Sequence, residues 1–173
     1  MTTLTMLNRL SQLVLTLLII TASTSQAAKI SGTISTTMAI TEDSQLTGDV
    51  TCQVTGGPCI NITASHVSLD LNGYTITGQN DPQVGCSGAG TGAEAGIVST
   101  GQTGIKVRGP GIVENFKGHG ISFTNITAST ITGVTTATNC FSGIFLTGGS
   151  ALNEIDGNIS IRNGNGTNPC GGI

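Results

Sequence analysis

The chain has 173 residues, a length that suits one domain. Without Arg9, five basic residues stand against nine acidic ones, a net charge of −4. No basic patch is available to neutralise phosphates, so we exclude nucleic acid as a partner. Charged residues are only 9% of the chain, so Thr, Ser, Asn and 26 Gly must supply the polar surface, and the composition disfavours helices.

The first segment predicts a secretory signal peptide over residues 1–27. Arg9 gives a positive n-region, Leu10–Ala22 is almost wholly apolar, and Ser25-Gln26-Ala27 fits a small-x-small cleavage site. The apolar run is shorter than the ~20 residues of a membrane span, so a membrane anchor is the weaker alternative. We expect the domain 28–173 to be secreted or extracellular, or periplasmic or cell-surface if bacterial, with no membrane association after cleavage.

Apolar and polar residues then alternate in short runs. Val67, Leu69 and Leu71 alternate with Ser68, Asp70 and Asn72, and such a period of two predicts a strand with one buried face. These runs place two coils of a repeat at 38–59 and 60–78.

The segment 79–95 breaks this pattern. It is rich in Gly and Ala, and Val84 is its one large apolar residue, so it has little with which to fill an interior. We predict an inserted loop that leaves the repeat at a corner.

Two columns of short motifs show that the second half of the chain is a repeat. Gly-Ile recurs at positions 96, 120, 143 and 172, while VRG, ITG and IDG end at positions 109, 133 and 157 with equal spacing. We place three further coils at 96–119, 120–142 and 143–171. The last Gly-Ile opens another coil without a capping repeat, so we expect C-terminal coils and a cap to be missing.

About three short strands fit in each repeat, and no segment of helix length separates them. This pattern predicts a parallel β-solenoid, in which coils stacked about 4.8 Å apart join their inward apolar rows into one core. The residues expected to point inward are Ile105, Val107, Ile121, Phe123, Ile131, Ile144, Phe145, Ile155, Ile159 and Ile161.

The stretch 40–78, above all the sequence VSLDLNGYTITG, resembles the opening coils of the pectate-lyase-like superfamily of right-handed β-helices. The resemblance implies an all-β, right-handed parallel β-helix of about five to six coils with three short strands each. Coils of this kind occur in polysaccharide lyases, glycoside hydrolases, epimerases, phage tailspikes and surface proteins, so the resemblance implies a fold and leaves the activity open.

Lyases of this fold use calcium held by carboxylates, with an Arg or Lys as base. In the column that contains VRG, ITG and IDG, the residues Asp70, Arg108, Thr132 and Asp156 should stack on one outward face, which makes Asp70 and Arg108 catalytic candidates. The alternative is an exposed ladder pair worth at most about 1 kcal/mol. No cluster of three carboxylates occurs at coil spacing, so a calcium site is not supported.

His119 is a third candidate, because Gly-His-Gly also occurs in polygalacturonases. Those enzymes need paired aspartates to protonate the leaving oxygen and to activate water. No Asp-Asp pair exists here, and the alternative is that His119 fills the corner before a Gly-Ile motif.

Four cysteines are disulfide candidates, since export permits such bonds. Cys52 and Cys59 bracket a short Gly-Pro loop, while Cys140 and Cys170 each precede a Gly-Ile motif. In-register positions on adjacent coils fall within the ~4.4–6.8 Å between α-carbons that a disulfide needs. We predict the pairs Cys52–Cys59 and Cys140–Cys170, which leave Cys86 over; small buried thiols are the alternative. Neither histidine pairs with a cysteine at zinc-ligand spacing.

The sequence therefore predicts a secreted, monomeric β-helix module associated with polysaccharide or a cell surface, without cofactor and without chemistry in this segment. The alternative is the N-terminal part of a carbohydrate-active enzyme, either a pectin or polyuronate lyase or a glycoside hydrolase. Its catalytic coils would lie beyond Ile173, and calcium belongs to the lyase alternative alone.

Overall fold

The computed structural model describes residues 26–79, 86, 93–164 and 172. The predicted signal peptide lies outside these residues except for Gln26 and Ala27, and Cys170 also lies outside them. No helix in the described part is long and apolar enough to cross a membrane. The strands are β1 (Ala28–Ile34), β2 (Met38–Ile40), β3 (Ser44–Cys52), β4 (Ile60–Ile62), β5 (Ser68–Asp70), β6 (Thr75–Thr77), β7 (Ile97–Thr100), β8 (Lys106–Glu114), β9 (Ile121–Thr124), β10 (Thr130–Ala137), β11 (Ile144–Thr147), β12 (Glu154–Asp156) and β13 (Ile159–Ile161).

These strands form two sheets in which neighbouring strands run parallel. Sheet A has the order β1-β3-β5-β8-β10-β12, with β6 and β13 paired at its side, and sheet B has the order β2-β4-β7-β9-β11. The chain alternates between the sheets, and each passage pairs with the passage before it. Lys106 lies beside Thr130, and Ile97 lies beside Ile121, so each residue neighbours its equivalent in the next repeat. The prediction of an all-β chain with parallel strands is confirmed.

Among the described residues, no strand intervenes between the two repeats that flank the predicted insertion. β4 pairs directly with β7, and β5 pairs directly with β8. Asp70 consequently lies beside Arg108, although the insertion separates the two residues in the sequence. The predicted register of Asp70 against Arg108 is confirmed.

An apolar core fills the space between the sheets. Ile105, Val107, Ile121, Ile131 and Ile144 are almost wholly buried, as predicted. Ile155 is partly buried and packs against the same core. Full burial of such a side chain contributes roughly 1.5–3 kcal/mol, so the inward rows supply most of the stabilisation of a chain that has few charges.

A glycine column sets the bend within sheet A. A register shift divides β10 between Thr132 and Val134, and Gly133 there has a φ of +66°. A side chain on Gly109, in the repeat before, would collide with the Gly133 carbonyl. Two of the three short strands predicted for each repeat run together as β8 and as β10, whereas they are separate as β5 and β6 and as β12 and β13.

The direction of three predicted inward residues is wrong. Phe145 pairs with outward Ser122, while its neighbour Leu146 pairs with buried Phe123. Ile159 and Ile161 are 54% and 46% exposed because Ser160, between them, takes the inward place under Thr136. In β13 the alternation was correct but its phase was reversed, whereas in β11 the inward direction of Ile144 was predicted correctly and only that of its neighbour Phe145 was wrong.

Asparagine side chains at the corners bind each repeat to the one before it. The Asn139 Oδ1 accepts from the Phe116 amide at 3.0 Å, and its Nδ2 donates to the Val113 carbonyl at 3.1 Å. Asn158 binds Val134 and Ile131 in the same way. Such bonds satisfy backbone groups where strand pairing lapses, and no buried polar side chain of the described part lacks a partner.

Candidate functional site

The outward column that the repeat predicted is present on sheet A. Asp70 pairs with Arg108, Arg108 with Thr132, and Thr132 with Asp156. Asp70 makes no ion pair with Arg108, and its Oδ1 instead accepts the Asn72 amide at 2.8 Å. The register is confirmed, while the ion pair expected between Asp70 and Arg108 is not formed.

A second outward column lies two residues away along the same strands. In it Ser68 pairs with Lys106, and Thr130 pairs with both Lys106 and Glu154. Lys106 and Arg108 are both exposed on β8, and neither makes an ion pair with another residue that the structure describes. We call Lys106, Arg108, Thr130 and Thr132 the cationic patch; Asp70 borders it on one side, and Glu154 and Asp156 border it on the other.

His119 lies near the outward side chain of Phe145 and is half-buried. Its ring stacks on Phe145, with centroids 4.4 Å apart and planes 3° apart, and it meets Phe141 at 5.3 Å. The Ser142 amide donates to Nδ1 at 3.1 Å. Burial lowers the pKa of His119 below its ordinary value of 6.5.

These contacts give His119 the properties of a packed corner residue. Its Nδ1 is occupied as an acceptor, so the proton of the neutral ring is on Nε2. That tautomer has no free lone pair with which to take a proton from substrate. The structure thus brings His119 together with phenylalanines and not with Asp70 or Arg108, which project from sheet A.

The disulfide pairing of Cys140 was predicted wrongly. Cys140 is bonded to Cys86, with α-carbons 5.4 Å apart, so it cannot also pair with Cys170. The prediction assumed that Cys140 forms its disulfide with a cysteine in the next coil. The predicted insertion follows the repeat 60–78, yet its Cys86 is bonded to Cys140 in the repeat 120–142. No period of the sequence indicates that pairing.

Cys52 and Cys59 remain thiols in the structure, so the predicted bond between them is not formed. Both side chains are buried, and they are hydrogen-bonded to each other. Donation by Cys59 lowers the pKa of the Cys52 thiol and raises that of Cys59 itself. Their proximity was predicted correctly, while their oxidation state differs from the prediction.

The described residues assemble no metal centre. They contain no group of three or more His, Cys, Asp and Glu side chains that could hold an ion. Their one ion pair joins Lys117 Nζ to Glu94 Oε2 at 3.5 Å, and Glu94 also accepts the Gly56 amide at 2.8 Å. Both contacts stabilise a corner and lie away from the cationic patch.

Sequence reasoning missed a second regular surface, on the outer face of sheet B. One threonine per repeat stands in a single column there, which we call the threonine ladder. Thr100 pairs directly with Thr124, and Thr124 pairs directly with Thr147. The pairs of β4 with β7 and of β2 with β4 keep the same register. The spacing 100, 124 and 147 follows the Gly-Ile period and is the signal that could have revealed it.

Comparison with known proteins adds no further assignment: no family model matches the chain, and neither the curated proteins nor the solved structures contain a match.

Proposed function

We propose that the chain is a secreted, right-handed parallel β-helix that binds acidic polysaccharide through the cationic patch and does not cleave it. The handedness rests on the resemblance to pectate-lyase-like coils and on the strong right-handed preference of parallel crossovers. Secretion rests on the signal-peptide pattern, and the disulfide Cys86–Cys140 agrees with an oxidising compartment.

The observation that carries the binding proposal is the exposure of two uncommitted cations on one strand. Lys106 and Arg108 project from the same side of β8 because they are two residues apart. Each is flanked by a threonine of the next repeat, Thr130 or Thr132. Carboxylates of a polyuronate could bind the cations while sugar hydroxyls bond the threonines.

The geometry around Asp70 favours binding over hydrolysis. Asp70 and Asp156 lie three strand spacings apart in their column, about 14 Å. Inverting glycosidases hold their carboxyl groups about 6.5–9.5 Å apart, and retaining enzymes hold them closer still. This column therefore supplies no acid and base pair, and His119 has no carboxylate partner within hydrogen-bond range among the described residues.

Affinity gel electrophoresis in polygalacturonate tests the proposal. The mature chain should be retarded, and K106Q/R108Q should lose most of that retardation because both cations are removed. The matched control K117Q/R162Q removes the same charge from positions outside the column that contains Arg108 and should be retarded like the parent. Added salt should weaken retardation, since exposed charges are screened.

Equal retardation of both double variants would refute the assignment of the patch. The same samples should release no unsaturated product from polygalacturonate or pectin, with or without calcium. Product formation that a chelator abolishes would refute the non-catalytic part of the proposal and favour the lyase alternative.

A further inference from the structure

Three N-x-Ser/Thr sequons lie within the described residues, at Asn61, Asn125 and Asn158. A fourth, at Asn165, lies outside them. In a secreted protein such a sequon is the acceptor of an N-linked glycan, which is bulky and needs a surface position. Because the triplet is short, the surroundings of each asparagine side chain decide whether a glycan fits there.

Asn125 occupies an exposed corner directly after β9. Its φ is +54°, in the left-handed region that asparagine tolerates, and its backbone amide donates to the Thr147 carbonyl at 3.0 Å. The side-chain amide makes no hydrogen bond to any residue that the structure describes. The backbone therefore holds the corner, while the side-chain nitrogen is open to substitution.

The neighbouring repeats leave space around this side chain. Asn125 follows Thr124 in register, so the equivalent residues of the repeats on either side are Gly101 and Gly148. A β-carbon on Gly101 would meet nothing within 4 Å, whereas one on Gly148 would come within 2.8 Å of the Asn125 Oδ1. Glycine at both positions thus keeps the Asn125 amide free of contact with adjacent side chains.

Asn158 has the opposite environment. Its Nδ2 donates to the Ile131 carbonyl at 2.7 Å, and its Oδ1 accepts the Val134 amide at 2.9 Å. The side chain is half-buried. A sugar on Nδ2 would disturb a corner that these two bonds hold, so the folded chain disfavours a glycan at Asn158.

Asn61 is also less open than Asn125. It lies in the middle of β4 and is half-buried. The residues beside it in register are Ala39 and Val98, both of which have side chains. Of the three described sequons, Asn125 alone combines exposure, an unbonded side-chain amide and neighbours without side chains.

We infer that Asn125 carries an N-linked glycan in the secreted chain. In the transfer, Nδ2 forms a bond to the anomeric carbon of an oligosaccharide, and the bond from that carbon to a polyprenyl pyrophosphate breaks. The lipid pyrophosphate leaves together with the proton that Nδ2 loses. The inference rests on the secretion included in the proposed function and is independent of the cationic patch.

Expression of the full chain in a eukaryotic secretory host tests the inference. After enzymatic removal of glycans, peptide mapping of the exported protein should find Asn125 converted to aspartate. T127A removes the sequon and leaves Asn125 in place, so it should lose this glycan. The matched variant T127S keeps the sequon and should keep the glycan. Thr127 is exposed, so circular dichroism should find both variants folded.

An exported chain with an unmodified Asn125 would overturn the inference and leave the binding of polysaccharide untouched. Glycan on Asn158 in place of Asn125 would also overturn it, as would equal modification of Asn125 in T127A and T127S. A chain that stays in the cytosol without glycan would overturn the inference together with the proposed secretion. Retardation in polygalacturonate is measured separately, so the two proposals can fail separately.

Discussion

At the scale of single residues, His119 shows how a motif that suggests chemistry can serve packing. Its ring fills a corner between the Ser142 amide and the faces of two phenylalanines. A charged imidazolium is disfavoured there by burial. The residue therefore ties its corner to the next repeat in the neutral form.

This neutrality predicts a pH dependence of stability. The pKa of His119 is lower in the folded chain than in the unfolded one, whose value is about 6.5. As the pH falls below that value the unfolded chain binds the proton first, so the free energy of unfolding should fall. Urea unfolding between pH 7 and about pH 5 should show a smaller loss in H119Q than in the parent. Equal losses would contradict a buried neutral histidine.

At the scale of elements, whether a side chain points into the core or out to solvent decides how much it contributes to stability. Ile121 lies in β9, between β7 and β11, and is fully buried. Ile161 lies in β13 and is 46% exposed. The two isoleucines have the same chemistry and opposite environments.

Truncation of the two residues should separate these environments. I121A should lower the free energy of unfolding by about 2–5 kcal/mol, the usual cost of a core cavity. I161A should lower it by less than about 1 kcal/mol, since much of its side chain is already in water. Urea denaturation of both variants beside the parent measures the difference. A larger loss in I161A would mean that β13 has the phase first predicted from the sequence.

The sequence predicted strand existence and register much better than strand phase. The Gly-Ile and glycine columns mark where each repeat begins and bends, and they correctly placed Asp70 beside Arg108. Alternation around Ile161 gives only the period. Which half of the alternation faces inward depends on where the preceding bend ends, and a one-residue shift there reverses every side chain.

The candidate site was predictable in part for the same reason. Arg108 and Thr132 were placed correctly because their column follows the repeat. The contact of His119 with Phe145 depends on the outward direction of Phe145, and the pairing of Cys86 depends on the path of an insertion. Neither follows from a period.

At the scale of the whole molecule, the disulfide Cys86–Cys140 fastens the insertion to a distant corner. It spans a sequence separation of 54, and loops of such length typically gain roughly 2–4 kcal/mol from a disulfide. The bond thereby joins the insertion to the folded domain at Cys86.

Peptide mapping of the unreduced chain should find a linked fragment pair containing Cys86 and Cys140. The variant C52A/C59A should give the same pair, since those thiols take no part in it. A linked pair containing Cys140 and Cys170 would contradict the structure and restore the pairing predicted from coil spacing.

The same covalent loop has a mechanical consequence. Stacked parallel strands can peel from either end when the termini are pulled apart, one repeat after another. The segment enclosed by Cys86–Cys140, with its sequence separation of 54, cannot extend while that bond is intact, so about 180 Å of contour length stays hidden from the applied force. A protein anchored between a surface and a moving load would thus yield at its ends while its middle repeats stayed wound.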